Sequence, residues 1–131
     1  MASITLIANV VTDSSGAATL YVSQSGQASY PLPPIAGVWA VDSITYKKND
    51  FASGVDLVIT EHESGMIIWT GTNVDASTTF RPRAFIGDPV TGTVSTTVYD
   101  TVNIMDGQIK IVISSGGASK TGQFTIRLKQ D

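Results

Sequence analysis

Cysteine is absent from this 131-residue chain, and histidine occurs once. The first absence removes disulfide frameworks, thiol nucleophiles and thiolate zinc sites together. The second removes multi-histidine metal centres. Charged residues make up only 15% of the sequence, against about 25% in an ordinary soluble domain. The eight basic residues are scattered, and no run of them could follow a phosphate backbone. Sequence-independent nucleic-acid binding is therefore not expected. No apolar run approaches the ~20 residues of a membrane-spanning helix. The opening Met1-Ala2-Ser3-Ile4-Thr5-Leu6 has no basic stretch and no long apolar core, so it does not read as a secretory signal. No segment carries a 3.6-residue apolar period, and no fixed-period repeat is visible.

What is present is hydrophobic and hydroxylic. Hydrophobic residues reach 42% and the net charge is −3. Serine, threonine and glycine fill most polar positions. A chain of this length reads as one domain, residues 1–131, able to bury roughly two thirds of its unfolded surface without metals or disulfides.

The last quarter is the clearest signal. Ile109-Lys110-Ile111-Val112-Ile113 runs into the small-residue stretch Ser114–Gly122, and Phe124-Thr125-Ile126-Arg127-Leu128-Lys129 follows. This predicts a β-hairpin with a long connection. Phe124, Ile126 and Leu128 face one way and Thr125, Arg127 and Lys129 the other, as in a strand wet on one side. Ile4–Val11 and Ala18–Val22, joined by Asp13-Ser14-Ser15-Gly16, predict an opening hairpin. Further strands are predicted around Val38–Tyr46, with Val41, Ile44 and Tyr46 inward, and at Val55–Thr60, Met66–Thr70, Phe80–Phe85 and Thr93–Tyr99. Asn73–Thr79 reads as loop and Met105-Asp106-Gly107 as a tight turn. Residues 25–34 hold three prolines and cannot form a central strand. They read as an extended crossover between sheets or as an arm to a neighbouring subunit. About eight short strands with Gly, Pro and Asp punctuation predict an all-β, antiparallel β-sandwich of the jelly-roll-like type.

Chemistry-bearing patterns are sparse. Gly116-Gly117-Ala118-Ser119-Lys120-Thr121-Gly122 has the composition of a phosphate-binding loop. It has Ser119 where that motif needs glycine before the lysine, and a strand follows in place of a helix. His62, between Glu61 and Glu63, has no Gly-x-Ser-x-Gly partner and reads as a turn residue. The aspartates sit mostly beside turn residues, where they bond their own backbone. A glycosidase pair is not visible, and no EF-hand spacing occurs. Catalytic, cofactor and metal sites are therefore not expected. Trp39 and Trp69 are either core anchors or ligand-stacking platforms. Arg81 and Arg83 flank Pro82 and would point one way on an extended segment, toward a carboxylate of a partner or toward solvent.

The order Tyr46-x-x-x-Asp50-Phe51-Ala52-x-Gly54-Val55-Asp56-Leu57-x-Ile59-Thr60, then Arg81-Pro82-Arg83, Asp106-Gly107-x-Ile109-Lys110 and Gly116–Phe124 resembles small virion proteins of tailed bacteriophages. These are head decoration, or cement, proteins. The resemblance spans about residues 40–129 and carries no catalytic residues. It implies a protein assembled in the host cytoplasm that binds the major capsid protein on the outer surface of the virion, often as a homotrimer. Tyr30, Pro31, Pro33, Pro34, Arg81 and Arg83 are the candidate partner contacts. A tail or fibre module that binds a receptor or glycan is the alternative, and it would need Trp39 or Trp69 exposed.

Overall fold

The computed structural model describes residues 2–23, 26–28, 35–87 and 94–130. Eleven strands follow one another: β1 Ala2–Val11, β2 Ala18–Ser23, β3 Gly26–Ala28, β4 Ile35–Lys48, β5 Asp56–Glu61, β6 Ile67–Gly71, β7 Thr78–Phe80, β8 Arg83–Gly87, β9 Val94–Gly107, β10 Ile109–Ser114 and β11 Thr121–Gln130. They form two sheets. The front sheet runs β1-β11-β4-β9-β8, with β7 also on β4; the back sheet runs β3-β2-β10-β5-β6. Every pairing is antiparallel. Without β3, β7 and β8, the order β1-β11-β4-β9 faces β2-β10-β5-β6, which is the jelly-roll wiring of two Greek keys.

The period-2 pattern explains the core. Phe124, Ile126 and Leu128 of β11 are buried between the sheets, as are Ile44 and Tyr46 of β4 and Leu57 and Ile59 of β5. Val41 shares their side although it is three residues from Ile44, because a bulge shifts the register where Arg127 faces Ser43 and Leu128 faces Val41. β10 supplies Ile109, Ile111 and Ile113, all fully buried. Burying one such side chain stabilises by about 1.5–3 kcal/mol. Tyr46, Phe51 and Phe124 stack at one end of this core. Gly122 makes room for them: a Cβ there would lie 2.3 Å from Phe51 Cε2.

Several expectations change. β10 and β11 do not pair with each other: β10 lies between β2 and β5, and β11 between β1 and β4. The opening pair behaves alike, since β1 bonds β11 while β2 bonds β10. Both predicted hairpins are arches that carry the chain from one sheet to the other. Turn residues bend a chain in either case, so local sequence does not separate the two. Among the described residues the strands number eleven and are not all short, since β4 and β9 each hold 14 residues. β9 continues through Asp106, and the expected turn there is strand up to Gly107. Thr78–Phe80, read as loop and strand start, pairs with Ile44–Tyr46. Within the Pro-rich 25–34, residues Gly26–Ala28 form a short edge strand on β2. Tyr30, Pro31, Pro33 and Pro34 lie outside the described residues, as does the Asp88–Gly92 turn.

The two arches lock together. Thr12 donates its hydroxyl to Gly117 O (2.5 Å) and accepts from Lys120 N (2.8 Å). Gly116 N bonds Gly16 O, Thr12 N bonds Lys120 O, and Ser119 N bonds Asp13 O. Gly16 has φ +83°, and a Cβ on it would meet Gly117 N at 2.9 Å, so glycine is required on both counts. The connection from β4 to β5 joins in through Ala52 N to Gly116 O.

Candidate functional site

The outer face of the front sheet carries rows of polar side chains across β1, β11 and β4. Alternation puts Thr5, Ile7 and Asn9 of β1 outward, with Gln123, Thr125 and Arg127 of β11. Register then builds rows. Asn9, Gln123 and Lys47 lie side by side across β1, β11 and β4, and the next row holds Ile7, Thr125, Thr45 and Thr79. Gln123 Nε2 donates to Asn9 Oδ1 (2.9 Å), and Arg127 donates to Thr45 Oγ1 (2.9 Å). Thr45 and Thr79 share a hydroxyl hydrogen bond of 3.0 Å. Asn9, Val11, Lys47, Asn49, Thr121 and Gln123 surround an open depression of about 420 Å³ at the arch end of this face.

The arginines meet in one region. Arg81 pairs with Asp42 Oδ1 at 3.2 Å, and Lys129 reaches the same oxygen at 3.4 Å. The Arg83 guanidinium donates to the carbonyls of Val41, Asp42 and Pro82. Both arginines thus have partners inside the chain. The charge spacing in the sequence did not reveal Asp42, because the bulge that turns it toward them is a tertiary feature.

The other candidates are structural. His62 sits in a turn, its backbone N–H bonding Gln108 O and its ring edge-on to Tyr21 at 4.9 Å. The buried Glu61 carboxylate accepts from Glu63 N and Ser64 N and closes that turn. Asp13 accepts from Ser15 Oγ, Ala17 N and Ser15 N, which hold its carboxyl below the ordinary value. Asp50 is lowered by the Thr121 N–H, with the Thr121 hydroxyl and the Lys120 charge adding to it. Burial pushes the Tyr46 phenol up to about 12, with the Asp75 charge adding to it. Lys48 pairs with Asp75. Trp39 is buried and donates to Ala36 O, while the Trp69 ring stacks on Phe80 at 3.9 Å. Among the described residues, no group of three or more acidic, histidine or cysteine side chains could hold a metal. No helix among them is long and apolar enough to cross a membrane.

No protein-family model and no curated protein matches the chain. Among solved structures, a chain from the disulfide-linked pili of Bacillus endospore appendages is similar at 14% identity and TM-score 0.43, over 97% of this chain and 84% of that one. A chain from the virus-like particle of the extra small virus of the giant freshwater prawn Macrobrachium rosenbergii is similar at 11% identity and TM-score 0.32, over 100% and 82%. At these identities no residue role transfers to this chain.

Proposed function

We propose that this chain is a structural virion protein that binds the outside of a tailed-phage shell and stabilises it, as a head decoration protein. The observation that carries the reading is the outer face of the front sheet. It is an open surface of hydroxyl and amide side chains on paired strands, with exposed Ile7 and Val11 among them, suited to meeting another protein. The resemblance in the sequence to phage decoration proteins points the same way. Such a protein acts by holding surfaces together. Several weak contacts on a repeating lattice add through effective concentration, so no single contact has to be strong. Homotrimers seated on the major capsid protein would multiply those contacts threefold. No catalytic step belongs to this role.

The glycan-binding alternative needs an aromatic platform open to solvent. Trp39 is 6% exposed, and Trp69 is half-buried with Phe80 stacked on its ring. Neither ring stands fully open to solvent.

The test is rebinding. Purified particles should contain the chain, and shells stripped of it should take up recombinant protein to a fixed stoichiometry and resist heat better afterwards. Particles that lack the chain, or stripped shells that ignore it, would remove the proposal.

A further inference from the structure

We infer that the outer face of the front sheet docks onto an acidic protein surface, with a partner carboxylate seated in the depression beside Lys47. This deepens the proposed function by naming the docking face and the chemistry of what it meets.

Charge is unevenly spread over the two sheets. The chain as a whole is negative, at −3. Six of its eight basic residues nevertheless belong to the front sheet or to the segment between β7 and β8. On the outer face, Lys47, Arg127, Lys129 and Arg81 stand against Asp42, and the carboxylate nearest the depression, Asp50, is held by the N–H and hydroxyl of Thr121. Asp42 is already shared by Arg81 and Lys129. Arg127 is exposed, and its described partner is the neutral hydroxyl of Thr45. Lys47 is exposed and has no ion pair among the described residues. These positions are scattered in sequence, and the pairing of β4 with β11 gathers them.

The depression adds geometry. Lys47 stands on one side and the amides of Gln123 and Asn49 beside it. An ammonium can meet a carboxylate at the surface, and the second N–H of the Gln123 and Asn49 amides, whose first goes to Asn9 Oδ1 and Thr121 Oγ1, can fill its remaining acceptor sites. Lys47 and Arg127 are separated by the row of Ile7, Thr125 and Thr45, so each would meet its own acidic group. A nucleic acid, with one charge every few ångströms, calls for a denser array. A second copy presenting the same face would be repelled.

The experiment uses the full chain and a polyglutamate peptide as probe, followed by backbone amide shifts. Shifts should gather on Asn9, Lys47, Gln123 and Arg127 and fade as salt rises from about 50 to about 300 mM, where screening lengths fall below the charge spacing. Lys47→Glu with Arg127→Glu should weaken binding at least tenfold, while Val58→Glu on the back sheet should not change it. Unchanged melting temperatures would show that the variants fold. Shifts that gather on β5 and β6, a double variant that binds as well as the parent, or single-stranded DNA that binds this face more tightly than polyglutamate would each overturn the inference. Stripped shells give a separate reading. If polyglutamate binds as expected and shells do not, the docking chemistry stands and the decoration role falls. If shells bind and polyglutamate does not, the role stands and the docking chemistry falls.

Discussion

Asp50 shows how much one carboxylate can do at the arch end. It accepts from both the N–H and the hydroxyl of Thr121, at 2.6 and 3.0 Å. Its carboxyl is therefore held below the ordinary 3.8. A lowered folded value means that the ionised form favours the folded state. That contribution is complete above about 3.8 and is lost as pH falls through the folded value. Asp13 works in the same direction in the neighbouring arch. Asp50→Asn is expected to melt below the parent at pH 5, and the gap should close as pH falls below the ordinary carboxylate range. Thermal unfolding followed across that window checks it; a gap that stays constant would separate the stability from the charge.

Among the elements, the arches matter most, and they were the least legible. Alternation disclosed the faces of β11 directly, and Val41, Ile44 and Tyr46 were readable as inward from their spacing and character. The partners of each strand were not readable. Asp13–Gly16 and Ser115–Lys120 carry ordinary turn chemistry, and only the pairing of β1 with β11 and of β2 with β10 shows that both cross between sheets. The docking face was hidden for the same reason, since Lys47 and Gln123 become neighbours only once β4 pairs with β11. Thr12 is the pin of this junction, 3% exposed and bonded on both sides. Thr12→Val keeps its volume and removes the hydroxyl. It should cost about 2 kcal/mol, because Lys120 N–H loses a partner and Gly117 O loses a donor. The melting temperature should drop by roughly 6–10 °C. A drop of a degree or less would mean that the arches hold without the hydroxyl.

At the scale of the molecule, the chain passes between the sheets so often that neither sheet is built from one continuous stretch. Both should therefore be lost together. The two tryptophans are placed to report this, Trp39 on β4 of the front sheet and Trp69 on β6 of the back. Single-tryptophan variants, Trp69→Phe and Trp39→Phe, are expected to give coincident denaturant midpoints once corrected for their own stability changes. Midpoints that separate would show sheets that come apart one at a time. The jelly-roll wiring also fixes where the outermost strands leave the body. Ala2 lies directly across from Gln130 in the β1–β11 pairing, and Val11 and Thr121 close the same pair at the depression. Ten residues of strand separate those two levels, about 30 Å of length. Anything grafted before residue 2 or after residue 130 would hang from one corner, far from Lys47. A reporter attached there would leave the depression beside Lys47 open while standing next to Lys129.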